Sequence, residues 1–347
     1  MNLPGPIFAL LSAALFGISP VLVKLINVAS SPILIAGLLY LGSGLGLSIF
    51  LLVKKINFIK ELKSLSHRHQ AKLIGAIISG GILAPICLTY GIQKASAFEV
   101  SLLLNFETVM TTLIAAFVFH EHIGKRVWVG KIIIIIGGLL ITLGSNDGVN
   151  FSLPAILIIL ACLFWGIDNN LTRDVDELSP SVLAAVKGLS AGVWNTVLAF
   201  VFGASFIDSK TSIAILMIGA ICYGVSLVLF VYALRLIGAS RTSTYFASGP
   251  FIGVIFSLLL LGEQPPAYHW LAFVFMLGGV FVLYREKHSH VHTHKVLTHQ
   301  HKHTHDEHHQ HSHHRVEGSE PDNHMHSHEE LTHEHHHFPD SHHRHRH

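Results

Sequence analysis

Ten stretches of about twenty mostly apolar residues follow one another along the first 285 positions, and this alone fixes the solvent in which the chain folds. A helix rises 1.5 Å per residue, so about 20 such residues cross the roughly 30 Å of hydrocarbon in a bilayer. The stretches are 5–26, 32–53, 73–93, 97–119, 127–145, 152–172, 180–203, 213–234, 242–261 and 267–285. The longest polar break between them is 54–72, which leaves no room for a soluble domain ahead of the C-terminal tail. At 50% hydrophobic and 13% charged, the chain lies outside the range of soluble globular domains. The first stretch has no basic leader, and Lys24 and a second apolar stretch follow it at once, so it reads as a membrane span and not as a signal peptide. Cys87, Cys162 and Cys222 lie inside apolar runs without paired spacing, which gives neither a disulfide framework nor a zinc motif and leaves them as packing residues.

Lysine and arginine set the expected orientation, because they are retained on the cytoplasmic side. With the N-terminus inside, the cytoplasmic connections carry Lys54, Lys55, Lys60, Lys63, Arg68, Lys72, Lys125, Arg126, Arg173, Arg235, Arg241, Arg285 and Lys287, whereas the opposite side keeps Lys24, Lys94 and Lys210. An even number of spans then returns the C-terminal tail to the cytoplasm. The first 287 residues hold 18 Lys and Arg against 12 Asp and Glu, so the body of the protein is basic although the whole chain is nearly neutral.

The chain also repeats itself. A shift of 142 residues lays 88–142 on 230–284 without a gap and matches Tyr90 with Tyr232, Ser101 with Ser243, Glu121 with Glu263, Trp128 with Trp270 and Gly137 with Gly279. Upstream, the LFGI of 15–18 answers the F-WGI of 164–167, and Ser-Pro at 31–32 answers Ser-Pro at 179–180. Five spans is an odd number, so the second copy enters the membrane upside down, the inverted-repeat topology of many carriers. With the FG-I-P-K-like opening at 16–24, the spans closing on a glutamate (FHE at 119–121, LLGE at 260–263) and the Gly249-Pro250 pair, the sequence resembles the EamA repeat of the drug/metabolite transporter superfamily over about 1–285. The resemblance implies an all-α membrane fold of ten helices in two inverted five-helix repeats, 1–145 and 146–287, and secondary transport or exchange of small solutes. The chain departs from its own symmetry where Gly249 and Pro250 correspond to Glu107 and Thr108.

Ionisable groups inside a span are costly and face an interior cavity, so Glu99, Glu107, Asp168 and Lys187 are the candidate pathway residues. Glu107 lies about 15 Å beyond the start of its span, near mid-membrane, with Thr111 one turn along the same face. Its alternatives are proton exchange, cation binding, or a structural hydrogen bond to a neighbouring helix. Asp168 and Lys187 come about 6 Å and roughly 10 Å from the same membrane face on consecutive antiparallel helices, so they reach similar depth. They form either a structural ion pair or a polar wall of the solute path, joined by Asn169 and Asn170. Glu99, nearer the external end, ranks lower. Glu121 and Glu263, with Gly249 and Pro250, read as structural features of helix ends and helix breaks.

The tail, 288–347, holds 24 of the 29 histidines. They recur in HSHVHTH (His288, His290, His292, His294), HQHKHTH (His299, His301, His303, His305) and HHQHSHH (His308, His309, His311, His313, His314). Its composition predicts a disordered segment without a core, and alternating imidazoles predict binding of zinc, nickel, cobalt or copper ions. Near the ordinary histidine pKa of about 6.5 the same tail would gain positive charge on acidification, an alternative role as a pH sensor. No nucleotide-binding motif and no cofactor requirement is visible, and no constellation recommends an enzyme. The sequence therefore reads as a secondary-active transporter of the inner or plasma membrane whose partners are lipid, a small solute or ion and transition metals, not nucleic acid. A divalent-metal carrier and a non-transporting metal sensor remain as alternatives, and homodimer formation stays open.

Overall fold

The computed structural model describes residues 5–26, 30–56, 58–120, 123–143 and 152–284, together with the backbone of 289–294, 297–303, 322–328 and 331–336. Within the unit that contains the apolar stretches, every described element is a helix. Nine of the described helices are long and apolar enough to cross a membrane: α1 (Gly5–Ile26), α2 (Pro32–Val53), α3 (His67–Lys94), α4 (Ala97–Phe117), α6 (Leu153–Arg173), α7 (Pro180–Val201), α8 (Ser209–Ile237), α9 (Arg241–Leu261) and α10 (Ala267–Tyr284). The remaining expected span falls on helix α5 (Lys125–Leu143), which stands outside that set of nine and carries Lys125, Arg126 and Lys131 in its first seven residues. A short six-residue helix, Phe58–Lys63, lies between α2 and α3. The chain is thus a multi-pass membrane protein.

Local chemistry sets the helix ends. Ser96, Ser152 and Asp208 accept the backbone N–H three residues on (3.0, 3.3 and 3.0 Å), satisfying donors that a helix start leaves unpaired. Pro32 and Pro180 occupy first-turn positions, where the missing N–H costs nothing. Gly262 closes α9 in the left-handed conformation (φ 63°), and His120, 142 residues earlier, takes the same conformation (φ 53°) just after α4. Along the outside of the bundle Leu52, Phe117, Leu259 and Val274 expose 63 to 75% of their surface, as lipid-facing side chains do.

The helix boundaries repeat. Helices α2 and α7 begin 148 residues apart and end 148 residues apart. From α3 onward the offset becomes 142, and it holds for two widened π-helical segments, Ile77–Leu83 in α3 and Gly219–Val225 in α8. The difference of six residues falls in the connections after α2 and α7, and the short helix Phe58–Lys63 is what the second half lacks.

Glycine carries the contacts between the matched helices. A Cβ at Gly44 would run into the backbone of Leu189, one at Gly192 into that of Leu41, and one at Gly37 into that of Thr196. In each pair one number rises as the other falls, so α2 and α7 run antiparallel across a backbone-to-backbone contact that small residues permit. Helices α5 and α10 repeat the pattern, with Gly137 against Met276 and Gly279 against Ile134.

The tail segment Lys287–His337 forms a separate unit. Ser289–His294 pairs antiparallel with Leu331–His336, and Leu297–His303 with Asp322–His328. Alternating histidine has the two-residue period of a strand, and backbone pairing needs no apolar core. The side chains of the tail histidines lie outside the described residues, as does Glu121.

Candidate functional site: a polar cavity inside the bundle

Helix α4 is broken near its middle. Its first half ends at Leu103, Leu104 and Asn105 form a turn, and the second half begins at Phe106. Hydrogen bonds from Asn105, Glu107 and Thr108 N–H to carbonyls three residues back (3.0, 3.0 and 3.2 Å) tighten this joint. Helix α9 has the matching break, where Ser248 and Phe251 N–H reach Tyr245 and Ser248 O at 3.1 and 3.2 Å, and Gly249 and Pro250 open its second half. In α4 the break places Glu107 in the first turn of a new helix, where the dipole favours a carboxylate.

Helix α6 meets this turn. Gly166 allows the approach, because a Cβ there would lie 2.9 Å from the Met110 and Thr111 backbone. One turn on, Asn169 Nδ2 donates to Glu107 Oε1 at 3.0 Å and to Thr111 Oγ1 at 3.1 Å. Asn170 Nδ2 donates to the Thr111 carbonyl at 3.0 Å and to the Gly166 carbonyl at 2.8 Å, stitching α6 to α4. Beside them Lys187 of α7 donates to both Asp168 oxygens (2.5 and 2.7 Å) and to Thr172 Oγ1 (3.1 Å), while Thr172 Oγ1 donates to Asp168 Oδ1 at 2.8 Å. All of the Lys187 ammonium protons are therefore engaged. Lys187 is 1% and Asp168 4% exposed, so neither can lose its partner without leaving a charge stranded in the bundle.

Glu107, Asp168, Asn169 and Lys187 line one cavity, and aromatic rings form much of its other walls. Phe16 lies 5.3 Å from Trp165, 5.4 Å from Tyr223 and 5.4 Å from Phe246, and Tyr40 lies 5.6 Å from Tyr223. Tyr40 Oη and Trp165 Nε1 both donate to the Gly80 carbonyl (2.7 and 3.1 Å), which lies in the widened segment of α3. A Cβ at Gly80 would overlap the Asp168 carboxylate, so glycine is required for α3 to back the ion pair. A chamber with amphipathic ring walls and convergent polar groups has the make-up of a small-molecule site.

Of the sequence candidates, the structure gathers Glu107, Thr111, Asp168, Asn169, Asn170 and Lys187 here and leaves Glu99 apart. Glu99 stands at the other end of α4, its N–H capped by Ser96. There the Glu263 carboxylate accepts the Ala97 and Phe98 N–H groups, each at 2.8 Å, and lies 3.8 Å from Lys24 Nζ. Gly249 packs against the Ala13 carbonyl and Gly17, which brings the α9 break onto α1. Among the described residues no cluster of three or more His, Cys, Asp or Glu side chains could hold a metal, and the three cysteines are free thiols.

Sequence reasoning missed two features. Lys131 of α5 is 1% exposed and donates to Thr108 O (2.9 Å) and Thr108 Oγ1, behind the α4 break. Its signal was a lysine inside the apolar run VWVGKIIIII, as costly there as the four ionisable residues that were weighed. The aromatic wall was half visible, since Phe16 and Trp165 both belong to the repeated LFGI and F-WGI motifs.

With this geometry in view, comparison with known proteins is direct. The EamA-like transporter family matches residues 3–143 and 152–285, nearly the whole helical body in two copies, and the chain belongs to that family. It is therefore a membrane transporter of the drug/metabolite transporter superfamily. An uncharacterized transporter of Methanothermobacter thermautotrophicus is 25% identical over 301 residues, covering 81% of this chain and 86% of its own. The uncharacterized transporter YetK of Bacillus subtilis is 25% identical over 262 residues, 72% of this chain and 79% of its own. A solved crystal structure 13% identical superposes with a TM-score of 0.64 over 80% of this chain and 96% of its own, a likeness of fold.

Proposed function

We propose that the protein is a secondary-active carrier that moves a small solute by alternating access between two oppositely threaded five-helix halves, with the solute or coupling ion bound at Glu107. The antiparallel glycine contacts between matched helices and the odd number of helices per half support the inverted threading. The observation that carries the reading is the Glu107 carboxyl, 7% exposed at the break in α4 and facing a cavity. A structural acid would be buried against protein on all sides. This one shares a chamber with rings, Asn169 and an ion pair that is already neutral. Lysine and arginine distribution supports a location in the cell or plasma membrane with both termini on the cytoplasmic side.

The test compares small-solute and metal content in cells with and without the protein, then with Glu107→Gln, which keeps the shape and removes the charge and the exchangeable proton. Loss of every difference between expressing and non-expressing cells, at equal amounts of membrane-inserted protein, is expected. A Glu107→Gln protein that sustains all those differences would overturn the assignment.

The tail is proposed to bind zinc, nickel, cobalt or copper on the cytoplasmic side, buffering or reporting metal to the carrier. Removing 288–347 separates this from a pure sensor. A carrier retains flux without its tail and loses only the metal bound by the full chain in calorimetry.

A further inference from the structure

The two faces of the bundle are built from matched connections and yet are not alike. On one face the connection after α2 meets the connection between α6 and α7. Glu61, on the short helix Phe58–Lys63, accepts the N–H of Ser179 at the start of α7 (2.8 Å). Glu177 accepts the N–H of Ser66 at the start of α3 (2.8 Å). Each connection thus caps the helix that follows the other. Lys72 to Asp174 (2.7 Å) and Arg235 to the Val175 and Leu178 carbonyls (2.8 and 2.5 Å) draw α3 and α8 into the same knot. Beneath it lies an apolar plug that includes Leu65, Val175, Leu178 and Val231, exposed by 6% or less, and Leu227 packs on this plug while also lining the cavity.

On the opposite face the matched connections stand apart around a polar mouth lined by residues that include Lys24, Ser30, Gln93 and Asp208. The repeat offsets explain the difference. Leu178 corresponds to Ser30, Val231 to Thr89 and Arg235 to Gln93, all of which line the mouth. The helix that carries Glu61 is the six-residue element that the second half lacks, so Glu61 has no counterpart there. Among the described residues the reciprocal pair of caps is therefore seen on one face only; on the other, Glu263 caps the start of α4 beside Lys24.

We propose that Glu61 and Glu177 are gate residues: their reciprocal helix caps hold the plug closed on the face of the 54–66 and 174–179 connections, so that the resting carrier is shut there and its mouth stands open opposite. The proposal rests on the alternating-access reading, and its test uses no solute, so failure of either can be told apart. In a cysteine-free full-length background reconstituted in vesicles, Leu227→Cys reports the cavity from the clasped face and Gln93→Cys reports the mouth. Each is labelled by a charged, membrane-impermeant maleimide applied to its own side. Adding Glu61→Ala and Glu177→Ala together should speed labelling of Leu227→Cys about tenfold, the shift expected from losing a pair of helix caps, and should slow that of Gln93→Cys. The opposed changes separate a gate from a loosened fold, which would speed both. Faster labelling at both reporters, or no change at Leu227→Cys, would overturn the assignment.

Discussion

The breaks in α4 and α9 occupy matched positions and have the same tightened turn, but they are used in opposite ways. In α9 the break carries Gly249 and Pro250 and is pressed onto α1, with a Cβ at Gly17 colliding with the Gly249 backbone. In α4 the same positions are Glu107 and Thr108, and the partner helix α6 approaches through Asn169 and Asn170 hydrogen bonds. One interface is closed by removing side chains, the other by adding polar ones. The lesson is that the repeat fixes where the backbone bends, while side chains decide which bend becomes a site.

The largest effect should come from the ion pair on that polar side. Lys187→Met leaves Asp168 buried without its counter-charge, and a buried pair broken at one partner costs about 3–5 kcal/mol. Thermal unfolding in detergent should show this loss, and adding Asp168→Asn should recover most of it. Failure of the double variant to recover would mean that the pair is tied to the fold through more than its charge.

Next comes the closed side. Gly17→Val forces a side chain against the Gly249 carbonyl and should cost about 1–3 kcal/mol by overpacking, whereas Glu107→Gly, which gives α4 the residue of α9, should keep the fold and lose transport. Equal destabilisation by both would dissolve the contrast between the two breaks.

Much of this contrast was legible in the sequence and part of it was not. Apolar length located the helices because a bilayer admits few other solutions, and the 142-residue offset put Glu107 opposite Gly249. Cost made Asp168 and Lys187 visible, since a charge within a span needs a reason. Pairwise distance, however, is tertiary. Nothing in the spacing of 80, 40 and 165 says that Tyr40 and Trp165 share the Gly80 carbonyl. Lys131 was overlooked although it lies a full turn deeper than the two basic residues at the helix start, Lys125 and Arg126. The capping roles of Glu61 and Glu177 were also hidden, because a glutamate in a polar connection is ordinary until its partner is seen.

The smallest expected effect is a pH dependence on the clasped face, and its sign follows from one group. The Ser66 N–H holds the Glu177 carboxyl below the usual glutamate range, with His69 Nδ1 2.9 Å from the other oxygen contributing in the same direction. A carboxylate whose pKa is lowered by folding adds stability above its unfolded value of about 4.3, and that contribution fades as pH falls through the lower folded value. The difference in melting temperature between the parent and Glu177→Gln should therefore shrink as pH falls from about 4.3 toward 3. The matched position on the open face is Ala29, so no comparable acid-sensitive cap is expected from that residue. A gap that widens on acidification would mean that the Ser66 contact does not stabilise the charged form, and the two faces would then differ in packing alone.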